Sequence, residues 1–353
     1  MSATEEPQFR IAVTADFHDE RGEPRYQDIG LAEFTGISQI VTRGFSKHLA
    51  EISAEQLHGF HAALVLTPRV TVGSLEGNDQ LLAIARFGVG YDTVDVAACT
   101  ERDILVTNTP GAVDRPVAEA TVGWMLALTH RIAQKDRLVR EGRWEERSQH
   151  MGTELRDRIL GIVGLGGIGR KLVSLLQGFG MRQPVAFDPF VSAEVFEQCG
   201  VRKVTLKELL ETADFVSLHC PLTEDTRGLI GAEQLRQMKP SAWWLNLARG
   251  GIVDEMALDE ALRSGRLAGA AVDCFENEPV IAAPPFAGLD NVLLAPHSIA
   301  WTHELFRDIG RSACGSLREI SQGIRPATAV NPEVFDRPGF QRKWETMVDD
   351  LRG

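Results

Sequence analysis

The sequence predicts an α/β protein made of two doubly wound parallel-sheet domains. Three observations carry this. Short β-rich runs alternate with helix-period segments along most of the chain, the pattern of repeated β–α–β units. The chain has 353 residues, more than one hydrophobic core ordinarily serves. A glycine-rich turn, G-x-G-x-x-G at Gly164, Gly166 and Gly169, lies between a strand candidate and an amphipathic helix candidate.

In the first third, strands are expected at Arg10–Ala15, Gln39–Thr42, Ala62–Thr67, Leu81–Phe87 and Ile104–Asn108, with helical stretches between most of them. His18–Asp28 is polar, holds Gly and Pro, and reads as an exposed loop. After Asn108 a Pro/Gly turn leads into a helix with Pro116 in its first turn. Val117–Leu128 is apolar nearly all round, so the helix is expected to be buried, in its own domain or against another subunit. It is expected to run on toward Arg140 and stop at the EGRW turn. From Leu155 to about Ala300 a second unit follows, with strands at Ile159–Val163, Val185–Asp188, Phe215–His219, Trp243–Asn246, Gly269–Asp273 and Val292–Ala295. A helical segment then reaches Gly323, and the chain is expected to return to the first domain. Residues 332–353 are polar and end in a short amphipathic stretch with no functional reading. The expected domains are 1–108 with 301–353, and 109–300.

Composition narrows the function. The chain is 44% hydrophobic and 24% charged, ordinary for a soluble protein, with a formal net charge of −12. That balance suggests neither a nucleic-acid nor an anionic-membrane partner, and an anionic substrate would need locally placed cations. MSATEEPQFR has neither the basic nor the apolar region of a signal peptide, and no apolar run reaches membrane-span length. The five cysteines are odd in number and scattered, without metal-ligand spacing. They read as buried thiols of a reducing compartment, so a cytoplasmic protein with no metal is expected.

The glycine turn has a mechanical reading. Ile159–Val163 is an apolar strand; Gly164 permits a tight turn, Gly166 lets the backbone approach a pyrophosphate, and Gly169 lets helix and strand pack closely. The pyrophosphate then meets unpaired N–H groups at the start of a helix expected over Ile168–Phe179 and stopped by Gly180. Asp188 closes the next strand, nineteen residues past Gly169. It can accept hydrogen bonds from a ribose 2′-hydroxyl and would repel a 2′-phosphate, which favours NAD over NADP. The six strands of this unit are the number a Rossmann sheet requires.

Three places that could do chemistry each follow a predicted strand, where open α/β sheets bind ligands: Arg249, Glu278 together with Asp273, and His297. Reducing a 2-keto acid needs a cation to hold the carboxylate, and guanidinium does this bidentately. It needs a proton donor with a pKa near working pH, which histidine supplies. A carboxylate behind the imidazole fixes its tautomer. Singly, Arg249 reads equally well as a surface residue, His297 as a turn residue, and Glu278 as a solvated acid. The combination carries the reading.

The chain resembles the D-isomer-specific 2-hydroxyacid dehydrogenase family, in its phosphoglycerate dehydrogenase-like branch. The match is carried by FGVGYDTVD (Phe87–Asp95), VAEATVGWMLAL (Val117–Leu128), GIVGLGGIG (Gly161–Gly169), SLHCPLTEDTRGLI (Ser217–Ile230), LNLARGGIVDE (Leu245–Glu255), VDCFENEP (Val272–Pro279) and LLAPHSIA (Leu293–Ala300), in order and with family-like spacing. The resemblance implies that Arg249 binds substrate carboxylate, His297 is the acid/base and Glu278 supports it. It implies that Asp273 receives the nicotinamide carboxamide, and that Val89 and Gly90 face substrate carboxylate and nicotinamide. Thr121, Gly167, Ile168, Cys220, Leu247, Ala248 and Ala300 match further cofactor contacts. It also implies a Rossmann NAD-binding domain inserted into a flavodoxin-like lid whose closure excludes water, and a homodimer formed through the helix near Val117.

Glu278, where a Gln would stand in a formate dehydrogenase, argues against that activity. Ending at residue 353, the chain is expected to be too short for the regulatory C-terminal domain of some phosphoglycerate dehydrogenases. Arg69 sits where some relatives bind a substrate phosphate or carboxylate, and reads equally well as a surface loop residue. Trp301 and His303 either shape the pocket or merely pack. The expected activity is NAD-linked hydride transfer at C2 of a D-2-hydroxy acid or its 2-keto partner, with glyoxylate, hydroxypyruvate, phosphoglycerate and bulkier sugar acids all open. The alternatives are an NADH-sensing corepressor on the same scaffold, and oxidation of phosphite or another small oxyanion.

Overall fold

The computed structural model describes residues 7–352; the acidic stretch 1–6, read above for targeting signals, and the terminal Gly353 lie outside the described residues. The chain divides into two compact units. Unit 1 takes both chain ends, Met1–Val113 and Thr302–Gly353, and unit 2 is Asp114–Trp301.

Unit 1 is built on five parallel strands: β1 (Phe9–Val13), β2 (Ile40–Gly44), β3 (Ala62–Val65), β4 (Ala83–Arg86) and β5 (Leu105–Thr107). Their order is β2-β1-β3-β4-β5, the flavodoxin-like winding. β3 reads AALV and is buried throughout, as a central parallel strand covered on both faces must be. The helix His303–Ser321 packs beside the loop before Leu31 at the closest range the backbone allows. A methyl group on Gly30 would lie 2.1 Å from the Gly310 carbonyl carbon, and one on Gly310 would lie 2.2 Å from that of Ile29. Asn331 is buried and ties the returning chain to β5, accepting from the Val106 N–H at 2.7 Å and donating to the Ile104 carbonyl at 3.0 Å. The C-terminal segment forms the helix Pro338–Arg352, whose Phe340 and Trp344 pack with Phe335.

Unit 2 holds seven parallel strands: β6 (Leu160–Val163), β7 (Val185–Phe187), β8 (Arg202–Lys203), β9 (Phe215–Leu218), β10 (Trp243–Asn246), β11 (Gly269–Val272) and β12 (Val292–Leu294). The order is β12-β11-β10-β9-β6-β7-β8, a Rossmann winding that reverses between β6 and β9. Six strands were expected; the seventh, β8, is two exposed residues paired to β7 at the sheet edge, with no apolar run to announce it. The long helix expected from Pro116 toward Arg140 is in fact two, Asp114–Thr129 and Ile132–Arg140, broken at Arg131 with φ 54°. The break has a cause: the Thr129 carbonyl accepts from Thr153 N–H at 2.9 Å and so leaves the helical ladder. Among the described residues no helix is long and apolar enough to cross a membrane.

The Gly30–Gly310 contact sets the first prediction. Gly30 also has φ 81°, so Gly30→Ala adds backbone strain to the clash. It is expected to cost about 2–3 kcal/mol, read as a lower urea midpoint at unchanged slope. An unmoved midpoint would mean that the two backbones are not in contact.

Candidate active site

The glycine turn joins β6 to the helix Gly167–Leu175. Gly164 has φ 97°, and a methyl group there would lie 2.8 Å from the Cys220 nitrogen, so both conformation and space demand glycine. Gly166 faces open space, and Gly169 sits against the Gly164 carbonyl and Ile162. Gly167 and Ile168 open the helix, with the Asp114 carboxylate close against Gly167. Asp188 follows β7, and its carboxylate is already at work. One oxygen accepts from Leu165 N–H at 2.8 Å, the other from Phe190 and Val191 N–H at 2.9 and 3.1 Å. The acid therefore braces the glycine turn as well as standing beside it. Across the sheet reversal, burial pushes His219 down to about 4, so its imidazole is neutral, with Nε2 at 2.8 Å from the Ser217 hydroxyl. Burial pushes the neighbouring Cys220 thiol up to about 11; Asp188 acts in the same direction, against an opposing backbone hydrogen bond. Thr121 is fully buried, and its hydroxyl donates to the Val117 carbonyl at 2.7 Å.

Three adjacent strands, β10, β11 and β12, each deliver one loop carrying a candidate group. Past β10, buried Asn246 braces the turn, accepting from Ala248 N–H at 3.1 Å and donating to the Arg249 carbonyl at 3.0 Å. Leu247 and Ala248 are buried, and the half-buried Arg249 guanidinium donates to the Ala248 carbonyl at 2.7 Å. Gly250 then passes the β11 loop so closely that a methyl group would lie 1.8 Å from the Phe275 carbonyl oxygen. That crossing brings the Arg249 loop onto the Glu278 loop. Glu255, heading the next helix, holds the same loop by accepting from Glu276 N–H at 2.7 Å.

Glu278 is fully engaged. Oε1 accepts from Phe275 N–H at 2.8 Å, and Oε2 lies 2.7 Å from His297 Nδ1. Burial pushes this carboxyl up, but the His297 hydrogen bond and charge, the Phe275 N–H and the Arg249 charge outweigh it and hold it below the usual range. An ionised carboxylate can only accept, so Nδ1 carries the proton and Nε2 is left for another partner. The His297 and Glu278 side chains are 43% and 33% exposed, so the pair is open to a solute.

Asp273, past β11, holds the histidine loop. Its carbonyl accepts from His297 N–H at 2.8 Å, and its buried carboxylate accepts from Ser298 and Ile299 N–H at 2.9 and 3.2 Å. Burial pushes the Asp273 carboxyl up, opposed by those two N–H groups and by His297. His297 has φ 52°, a conformation a histidine adopts only when its surroundings impose it. Ala300, just beyond, is buried.

Arg249, Asp273, Glu278 and His297 are thus brought together within unit 2. Val89, Gly90 and Arg69 belong to unit 1: Val89 is exposed and its carbonyl accepts from the Asn108 side chain at 2.8 Å, while exposed Arg69 is tied by its backbone to Ala50 and Ile52. Asn246 and Glu255 escaped the sequence reading although both stand in LNLARGGIVDE. Their signal was position alone, an amide ending a strand and an acid opening a helix.

Residues 122–298 match the family described as D-isomer specific 2-hydroxyacid dehydrogenase, NAD binding domain. The glyoxylate reductase of Korarchaeum cryptofilum is 41% identical over 283 residues, covering 78% of this chain and 85% of that protein. The D-3-phosphoglycerate dehydrogenase of Archaeoglobus fulgidus is 39% identical over 283 residues, and there the match spans 53% of the relative's length. Among solved structures, the TT0316 protein from Thermus thermophilus superposes with a TM-score of 0.79 at 29% identity, covering 91% of this chain and 99% of that one.

The depressed Glu278 carboxyl gives a signed pH dependence. Its folded value lies below the unfolded one, so its stabilisation is present above the unfolded value and lost as pH falls through the folded value. Wild type and Glu278→Gln should therefore differ in urea midpoint near neutrality, and the gap should shrink only as pH falls below the ordinary glutamate value of about 4.3. A gap undiminished in acid would contradict an ionised, hydrogen-bonded carboxylate.

Proposed function

Because the chain belongs to the D-isomer-specific 2-hydroxyacid dehydrogenase family, we propose that it acts on a small D-2-hydroxy acid or its 2-keto partner through His297, Glu278 and Arg249. It is an NAD-dependent oxidoreductase of that family. The observation that carries the residue assignment is the 2.7 Å contact between His297 Nδ1 and an ionised Glu278. Glyoxylate and similarly small 2-keto acids are the first candidates, since the relative of that name matches along 85% of its own length.

The cofactor fits the residues present. Gly166 leaves room for a phosphate to reach the start of the helix, and Asp188 stands where it can accept from a ribose hydroxyl. When bound, NAD supplies the hydride acceptor or donor at nicotinamide C4. The chain's own groups do the rest. Arg249 holds the substrate carboxylate and polarises the carbonyl. His297 Nε2 delivers a proton to the carbonyl oxygen in the reducing direction and removes it from the hydroxyl in the oxidising one. Glu278 keeps Nδ1 protonated and stabilises the imidazolium.

We also place the protein in the cytoplasm as a homodimer. Cys99, Cys274 and Cys314 are buried and in no disulfide, as a reducing compartment allows. In unit 2, Ile132, Val139, Trp144 and Met151 are 52%, 63%, 60% and 74% exposed, large apolar side chains within twenty residues of one another in sequence that a second subunit would cover.

With NADH and a panel of 2-keto acids, His297→Ala is expected to lower kcat by about 10²–10⁴-fold with little change in NADH affinity. Arg249→Ala should raise KM and lower kcat together. Wild-type rates in either variant would remove that residue from the assignment. Light scattering should give twice the chain mass for wild type and a lower mass for Val139→Glu; a monomeric wild type would end the dimer proposal.

A further inference from the structure

Cys274 lies between Asp273 and Phe275 in the loop that carries Glu278, and the mechanism above leaves it unused. One donor atom from each of Cys274, Glu278 and His297 lies within 4.8 Å of the other two. A thiol, an imidazole and a carboxylate are the ligand types zinc selects. Zinc bonds of about 2.0 Å to N or O and 2.3 Å to S set tetrahedral ligands roughly 3.3–3.6 Å apart. The imidazole–carboxylate pair, now at 2.7 Å, would open slightly, with the sulfur already within 4.8 Å of a donor atom of each.

We infer that Cys274, Glu278 and His297 form a binding site for a thiophilic divalent cation such as zinc, and that its occupancy arrests the enzyme. Charge allows this: a thiolate and a carboxylate together neutralise the dication, His297 binds as the neutral ligand, and the Arg249 charge that acts on Glu278 opposes it. Losing the thiol proton leaves no orphan. The Cys274 thiol donates to the Ala248 carbonyl at 3.3 Å, and that oxygen also accepts from Arg249 at 2.7 Å. Access is from the side of His297 and Glu278, since Cys274 itself is 1% exposed. Three ligands leave a fourth position for water, the arrangement of an open zinc site.

Arrest follows whichever ring nitrogen the metal takes. At Nε2 it occupies the proton-transfer position. At Nδ1 it replaces the proton shared with Glu278. This half of the inference rests on the function proposed above; the binding half does not. The ligands come from positions 274, 278 and 297, and the expectation of no metal was based on cysteine spacing, which cannot see such a set.

The test is cobalt titration of the purified chain. Wild type should develop a near-ultraviolet thiolate-to-cobalt charge-transfer band, removed by added zinc. Cys274→Ser and Cys274→Ala should lack it; the pair guards against one failing to fold. No band in wild type, or an equal band in the variants, overturns the site. In the NADH assay, zinc should inhibit wild type, and the inhibition constant should weaken at least about tenfold in Cys274→Ser. Equal inhibition of both overturns the arrest mechanism. If no 2-keto acid is turned over, the functional reading fails while the cobalt spectrum still decides the metal site.

Discussion

The site depends on the buried carboxylate of Asp273. It is a costly group to bury, and it is tolerated because the Ser298 and Ile299 N–H groups point at it. Those bonds, with the one from His297 N–H to the Asp273 carbonyl, hold a histidine in a left-handed backbone conformation. Released, that segment would relax toward ordinary dihedrals and carry the imidazole away from Glu278. Strain at one residue is thus maintained by hydrogen bonds made at another, which is how a loop can hold a side chain as firmly as a strand does.

The same economy appears at the cofactor turn. Asp188 ties down Leu165 through one oxygen and the start of its own loop through the other. Its geometry is fixed by these backbone donors, so in the proposed role of ribose acceptor it would have little ordering cost to meet. Glu278 is arranged alike, with a backbone N–H on one oxygen and the imidazole on the other. In a chain of net charge −12, these acids are individually committed to protein donors, and the Arg249 charge offsets that of Glu278.

Commitment has a consequence for selectivity. Glu278 and His297 are the pair proposed for proton transfer, yet a carboxylate and an imidazole with a thiol alongside are also donor types that zinc accepts. Serine at position 274 would remove the sulfur while keeping a small side chain able to donate to the Ala248 carbonyl. On the inference above, the residue beside the proposed acid/base pair bears on which ions the site admits.

Much was readable from the linear chain. Parallel strands buried on both faces are short apolar runs, so β1, β3, β4, β6, β9, β10 and β11 announce themselves. The glycine turn, Asp188 and the Arg249, Glu278 and His297 blocks were visible because their chemistry is local in sequence. What local sequence does not carry had to come from the fold. The edge strand β8 has no buried face and hence no pattern. The break at Arg131 depends on Thr153 capturing a carbonyl twenty-four positions earlier. Asn246 and Glu255 act by hydrogen-bonding backbone, which no spacing rule marks. Residue types and strand ends determined which groups were available for chemistry. Only the tertiary structure, through the Gly250 crossing and the Asp273 hydrogen bonds, decided that Arg249, Glu278, His297 and Cys274 share one place, because that proximity is a property of neighbouring loops and not of any one of them.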